Sequence, residues 1–315
     1  MTGGSWEQGS QDMSHGKDRL PASSRDDAEQ GPVRCCFGYG PGVTIHYERE
    51  GTGPVPILLL HGFAASRSTW DDLRTRFPPH RYTLYLIDLM GFGLSSKPRK
   101  GNYALVEQAA IILAFLADRK LSRAVLIGHS LGGTIALLAA LMDRSPTRHR
   151  FIDTLVLIGA PVWPQPLPRF FRYLKAPLLG SVLLKLLPNR LVVSRSLASV
   201  YYDRNMVDDR HRERYADSFR GAGTVNALVR TVRQLLPEQW EEFCTEYHKL
   251  DRPLLLVWGS NDRVVTFRQG ERLRDIVHGA RLEVIDRCGH NPHEEYPDET
   301  WRVIERFLEE QRTAY

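Results

Sequence analysis

Gly128-His129-Ser130-Leu131-Gly132 is the stretch on which the reading of this chain turns. It follows the apolar run Ala124-Val125-Leu126-Ile127, too short for a helix and readable as a buried strand. It precedes Gly133 to Met142, rich in Ala and Leu, which reads as a buried helix. A serine between two such runs, with glycine two places before and two places after it, is a nucleophile elbow. Side chains at the glycine positions would collide with neighbouring backbone in so tight a turn. The elbow presents Ser130 Oγ above a sheet at a helix N-terminus, where the peptide dipoles favour negative charge.

The strand–helix alternation continues on both sides. Val43 to Glu48 alternates as an early strand, and Gly51 to Pro54 is a turn. Pro56 to Leu60 is a continuous apolar strand running into His61-Gly62-Phe63-Ala64. A helix is expected from Trp70 to Phe77, a strand from Tyr82 to Asp88, and a Gly-rich loop from Met90 to Ser96. A helix over Tyr103 to Leu116 leads to the elbow, and Phe151 to Gly159 is the next strand. Further strands lie at Pro253 to Gly259 and Arg281 to Ile285, with helices at Phe267 to Val277 and Pro297 to about Glu310. This predicts an α/β fold: a mostly parallel central sheet of about eight strands, flanked by helices. In such sheets the ligand crevice lies at the carboxyl ends of the strands, where His61, Asp88, Ser130 and Gly159 all fall.

The alternation stops at Pro161 and resumes near Asp251. Amphipathic runs such as Leu167 to Leu174 and Gly180 to Leu187, punctuated by prolines, read as a helical cap inserted above that crevice. The expected organisation is a disordered extension over 1–31, an α/β core over 32–160 and 251–315, and a cap over 161–250.

A serine hydroxyl is a poor nucleophile without a base, a group to orient that base, and donors for the oxyanion. His290, in Arg287-Cys288-Gly289-His290-Asn291-Pro292, is the expected base, with His293 as its rival. Asp262, in Gly259-Ser260-Asn261-Asp262, is the expected acid. It lies between serine and histidine in the chain, although Asn261-Asp262 could equally form a turn unaided. Asp153 precedes its strand and Asp286 stands only four residues before His290, so both are weaker candidates. The backbone N–H groups of Leu131 and Phe63 are the expected oxyanion donors, with Gly62 allowing close approach. His61 is expected to hold that loop rather than act as a second base. His61, Gly62, His129 and Trp163 complete the expected substrate wall.

Five motifs in this order resemble the α/β-hydrolases of the esterase/lipase and C–C-bond hydrolase type with a helical cap. They are His61-Gly62-Phe63, Asp88 through Ser95, Gly128 through Gly132, Gly259 through Asp262, and Gly289-His290, and they cover roughly residues 42–312. The resemblance implies a carboxylic ester or related acyl bond as substrate, an acyl-enzyme intermediate, and a structural role for Asp88 and its loop. It leaves open cleavage of a C–C bond, peroxide as acyl acceptor, and a small-molecule receptor built on the same fold. Relatives that open epoxides or remove halide carry aspartate at the elbow, and here it is Ser130. A single glycine before Phe63 suggests a narrower site than that of esterases for bulky tertiary alcohols.

Composition sets the remaining bounds. The 315 residues are 42% hydrophobic and 25% charged, enough for one large core with an insertion. The net charge of +5 comes from 42 basic against 37 acidic residues, and no nucleic-acid module accompanies it, so no nucleic-acid partner is expected. Cys35, Cys36, Cys244 and Cys288 have neither disulfide-framework nor zinc spacing, and no secretory signal or membrane span is visible, so cytoplasm is the expectation. No HExxH, Walker or dinucleotide motif occurs, so no metal and no cofactor is expected. Cap residues Arg169 to Leu187 mix cations with apolar side chains. An amphipathic helix lying on the core is the simpler reading and contact with a membrane or lipid the sharper one. The arginines at 210, 212 and 214 read as a solvated face. Oligomeric state is not legible.

Overall fold

A computed structural model of the protein describes residues 31–143, 150–165, 189–219, 221–235 and 240–313. Eight strands run β1 Val33–Gly38, β2 Thr44–Glu50, β3 Val55–Leu60, β4 Tyr82–Ile87, β5 Ala124–His129, β6 Ile152–Ile158, β7 Leu254–Gly259 and β8 Arg281–Ile285. They form one sheet in the order β1-β2-β4-β3-β5-β6-β7-β8. From β4 to β8 every neighbouring pair is parallel, and only β1–β2 and β2–β4 are antiparallel.

The continuous apolar strands are buried on both faces, and their two-residue period divides the core in two. Leu58, Leu60, Leu126, Leu157 and Leu256 point to one side. There they meet Ile112 and Phe115 of α2 (Leu105–Asp118) and Ile135 and Leu138 of α3 (Leu131–Met142). Ile57, Leu59, Ile127, Val156 and Val257 point to the other. These face Trp301, Ile304 and Phe307 of the C-terminal helix Pro297–Thr313, and Leu73 of the short α1 (Asp71–Arg74). Each such side chain, wholly withdrawn from water, contributes about 1.5–3 kcal/mol of transfer free energy. Slipping any one strand by a residue would exchange the two sets.

The insertion between β6 and β7 is helical, with no strand among its described residues. It contains α4 Asn189–Val200, α5 Asp209–Ser218, α6 Thr224–Gln234 and α7 Trp240–Thr245. After β7 come α8 Arg268–Ile276, α9 Pro292–Glu295 and α10 Pro297–Thr313. The helices expected at Leu167–Leu174 and Gly180–Leu187 lie outside the described residues, as do residues 1–30 of the expected 1–31 extension and the Arg169–Leu187 stretch read for lipid contact. Two expectations need correction. The helix expected over Trp70 to Phe77 is a 3-10 turn at Arg67–Trp70 followed by only one turn of α1. Strand β1 went unread, because its sequence Val-Arg-Cys-Cys-Phe-Gly lies on a sheet edge with most side chains exposed and lacks an apolar face to detect. Among the described residues no helix is long and apolar enough to cross a membrane.

Candidate active site

The elbow is built as its glycines require. Ser130 adopts φ 50°, ψ −117°, a conformation that costs a non-glycine residue on the order of 1–3 kcal/mol. Its N–H donates to Ile158 O at 2.8 Å, which pins the turn to β6. A Cβ on Gly128 would run into the Gly132 carbonyl, and one on Gly132 into the Leu60 carbonyl. The strained serine therefore sits where α3 packs tightly against the ends of β3 and β5.

Three side chains from three strand ends converge there. Ser130 Oγ stands 3.0 Å from His290 Nε2, and His290 Nδ1 stands 2.7 Å from Asp262 Oδ2. The carboxylate can only accept, so Nδ1 carries the imidazole proton and Nε2 offers its lone pair to the Ser130 hydroxyl. Asp262 is fixed by its other oxygen, since Oδ1 accepts the N–H groups of Val264 at 2.8 Å and Val265 at 2.9 Å. The turn-forming and histidine-orienting readings of Asp262 thus both hold, one on each oxygen. Its side chain is wholly buried, and that of His290 nearly so. Hydroxyl, imidazole and carboxylate in series can take a proton from the hydroxyl and stabilise the imidazolium that results.

The rivals lie elsewhere. Asp286 Oδ1 accepts from Ser260 Oγ at 3.2 Å, and Asp153 pairs with Arg123 at the start of β6. His293 is completely buried, packed at a tilt between Trp70 and His129 with ring centroids 4.6 and 4.4 Å away. Burial, aided by the nearby His290, depresses its pKa to about 3.

The loop after β3 lies against the serine. A Cβ on Gly62 would stand 3.4 Å from Ser130 Cβ and 2.9 Å from His129 Nδ1. His61 Nδ1–H donates to Gly62 O at 2.8 Å, and its Nε2 accepts Leu89 N–H at 3.1 Å. Both ring nitrogens are therefore engaged in holding the loop, and burial lowers its pKa. Leu131 opens α3, where the N–H groups of Gly133 and Thr134 bond back to Ser130 O at 2.9 and 3.1 Å, and the N–H of a helix's first residue has no acceptor within the helix. Phe63, on the same loop as Gly62, packs edge-on against Phe92 at 5.9 Å.

Like His61, two further residues read for the substrate wall make contacts with protein. His129 is buried, and its Nε2–H donates to the backbone carbonyl of His290 at 2.9 Å, joining the elbow to the histidine loop. Burial holds its pKa well below the usual histidine value. Trp163 is covered by the Arg272 guanidinium at 4.3 Å and meets the Tyr247 ring edge-on at 5.3 Å. Asp88 is wholly buried. It accepts Arg67 N–H and Nη1 at 2.8 and 2.9 Å and Leu94 N–H at 2.9 Å, the loop-shaping role expected of it. Arg67 also pairs with Glu48, which pairs with Arg74, a network that sequence reading missed. Arg214, expected to be solvated, instead pairs with Asp72. The buried acids Glu294 and Glu295 were missed as well. Their only sequence signal is two consecutive carboxylates directly behind His290-Asn291-Pro292-His293.

The chain is similar to the hydrolase YugF of Bacillus subtilis, at 28% identity over 85% of this chain and 95% of that protein. It is also similar to a 2-hydroxy-6-oxononadienedioate/2-hydroxy-6-oxononatrienedioate hydrolase of Burkholderia vietnamiensis, at 26% identity over 85% of this chain and 92% of that one. Among solved structures, a membrane phospholipase A described as a bacterial virulence factor superposes with TM-score 0.70 at 26% identity, covering 90% of this chain and 87% of that chain. The sequence profile of the alpha/beta hydrolase family matches residues 57–303, and with its eight-stranded sheet, helical insertion and Ser130–His290–Asp262 geometry the chain belongs to that family.

Proposed function

We propose that the protein is a serine hydrolase that transfers an acyl group from a small apolar substrate to Ser130 and then to water, and that the bond it breaks is a C–C bond beside a carbonyl in a vinylogous diketone. The observation that carries the hydrolase reading is the continuous bonding from Ser130 Oγ through His290 to the buried Asp262. His290 Nε2 takes the hydroxyl proton as Oγ attacks the carbonyl carbon. The Phe63 and Leu131 N–H groups hold the oxyanion. Collapse expels the carbon fragment as a delocalised enolate, which receives the proton from His290. Water, deprotonated by the same imidazole, then releases the acyl group as a carboxylic acid, and Ser130 regains its proton. Resemblance to the dienedioate hydrolase supports the C–C assignment.

Ester hydrolysis is the second reading, with an alcohol in place of the enolate and an identical proton path. The likeness to a phospholipase A favours it and brings lipid contact through the cap with it. Epoxide opening does not fit. Attack by Ser130 would leave an ether, which water cannot release as it releases the ester formed by an elbow aspartate. A cytoplasmic place for the enzyme is part of the proposal and rests on the cysteine spacing in the sequence alone.

The test is a substrate panel on the full chain, comparing kcat/KM for a chromogenic vinylogous diketone with that for p-nitrophenyl butyrate. The diketone is expected to be preferred, and Ser130→Ala is expected to lower both by on the order of 10⁶-fold with the fold intact. A preference for the ester would transfer the assignment to the second reading. Turnover undiminished by Ser130→Ala would refute the hydrolase reading, and covalent labelling of Ser130 without turnover of any substrate would favour a receptor.

A further inference from the structure

The backbone that carries His290 is anchored at three successive amides. The His290 N–H donates at 2.7 Å to the carbonyl of Val200, the last residue of α4 in the insertion. The N–H groups on either side, of Gly289 and Asn291, donate to the buried carboxylate of Glu295 at 3.0 and 3.2 Å on Oε1, with Gly289 also 3.1 Å from Oε2. The same carboxylate accepts the Tyr202 N–H at 2.8 Å on Oε2, from the chain leaving α4. Glu294 beside it is also buried and accepts the hydroxyls of Tyr201 at 3.0 Å and Tyr215 at 2.9 Å, together with Asn291 Nδ2 at 2.7 Å. Two consecutive acids of the histidine loop therefore hold two consecutive tyrosines of the insertion. There is no slack between the layers, since a Cβ on Gly289 would meet the Val200 carbonyl and stand 2.6 Å from Tyr202 N.

We propose that Glu295 is a positioning residue, whose carboxylate fixes the His290 loop and Tyr202 of the cap as one unit, so that the imidazole meets Ser130 only while the cap is seated. This rests on the reading of Ser130 and His290 as the proton-transfer pair. The Tyr202, Gly289 and Asn291 groups that Glu295 binds are all backbone donors, and both its oxygens are used, so the site demands an acceptor at each. Glutamine cannot meet that demand, because its amide must turn an NH₂ towards either Tyr202 N–H or the loop N–H groups. Aspartate keeps both acceptors but is one methylene too short to reach both sides. Either change frees the loop from the cap. The 3.0 Å separation of His290 Nε2 and Ser130 Oγ leaves little room for such movement, as a misplacement of about 1 Å costs roughly 10²-fold in rate.

The experiment uses the full chain with Glu295→Gln and Glu295→Asp, and reads two signals. One is the rate of covalent labelling by a fluorophosphonate, which needs the serine–imidazole alignment but little of the substrate pocket. The other is the downfield NMR resonance of the His290 Nδ1 proton, which reports its bond to Asp262 without requiring activity. Glu295→Gln is expected to slow labelling roughly 10- to 100-fold, in step with kcat and with little change in KM, and to shift or broaden the imidazole resonance. Glu295→Asp is expected to do the same at smaller amplitude, and it carries the test if the glutamine variant does not fold. Wild-type labelling rates together with an unmoved resonance in a folded variant would overturn the proposal and leave Glu295 as packing alone. Failure of the wild type itself to label at Ser130 would instead count against the hydrolase reading, while the resonance would still judge the positioning role.

Discussion

Replacing Asp262 by asparagine changes one oxygen to an amide nitrogen, and the structure dictates which one. Oδ1 accepts two backbone N–H groups, from Val264 at 2.8 Å and Val265 at 2.9 Å. The asparagine carbonyl must keep that place, because an NH₂ there would oppose two donors. The amide nitrogen then faces His290 Nδ1, where the carboxylate oxygen stood at 2.7 Å. Since NH₂ donates, Nδ1 must become the acceptor and the imidazole proton moves to Nε2. The nitrogen facing Ser130 Oγ now carries a hydrogen instead of a lone pair, and the base is lost without any change of shape. The expected loss is about 10⁴-fold in kcat, or about 5.5 kcal/mol of barrier, with KM little altered. Stability should hardly change, because both Oδ1 bonds survive. Asp262→Ala provides the contrast: it removes the acceptor of both N–H groups, each of which costs about 1–3 kcal/mol when left buried and unpaired. Steady-state kinetics and differential scanning calorimetry on the two variants separate orientation from anchoring. Asparagine activity within about ten-fold of wild type would refute the tautomer argument, given the size of the expected loss. An unchanged Tm for the alanine variant would refute the anchoring argument.

Gly289→Ala should lower both Tm and kcat, because its Cβ meets cap backbone at Val200 and Tyr202 rather than a flexible side chain; overpacking of this kind costs about 1–3 kcal/mol. An alanine variant with wild-type Tm and kcat would mean the cap does not press on this loop. Acid stability should follow the buried titratable groups around the site. His293 stays neutral in the fold down to about pH 3, whereas an unfolded histidine gains its proton near 6.5. The unfolded chain therefore binds more protons across that interval, and stability falls with falling pH by about 1.4 kcal/mol per unit for each such histidine. His129 and His61 act in the same direction. Glu294 opposes them, since burial raises its pKa from 4.5 to about 7; the folded state protonates first, and stability rises as pH falls between those values. Glu294 therefore cancels about one proton of the histidine slope between about pH 7 and 4.5, and urea denaturation from pH 8 to 3.5 should show a steeper loss below about pH 4.5, where that compensation ends and the depressed carboxylates of Asp72 and Asp208 add to the loss. His293→Leu should reduce the steep slope by one proton, and an equal slope in that variant would argue against its neutral burial.

What sequence could and could not reveal divides along a physical line. The elbow was legible because its glycines answer a local steric demand and its flanking runs have the length and composition of one strand and one helix. Asp262 and His290 were legible because each closes an apolar strand in the order that acyl chemistry needs. The mostly parallel sheet and its cover of helices on both faces followed from the continuous apolar strands. Where sequence stops short, orientation is set by a partner distant in the chain. His129 looked like a residue of the substrate wall because it flanks Ser130, yet its ring turns inward to the His290 carbonyl, a contact spanning 161 residues. Trp163 opens the insertion and looked available to a ligand, yet Arg272 and Tyr247 cover it. Glu294 and Glu295 resemble the acidic first turn of a solvated helix, an ordinary pattern with its own favourable dipole term. Their burial is decided by Tyr201, Tyr202 and Tyr215, more than seventy residues earlier, and no local rule pairs them. Gly289 joins the two cases. It stands next to the base, where a glycine by itself suggests only a bend in the histidine loop. The reason for glycine there is the cap backbone packed against its α-carbon, so the residue that seemed to free the loop marks the place where the cap holds it.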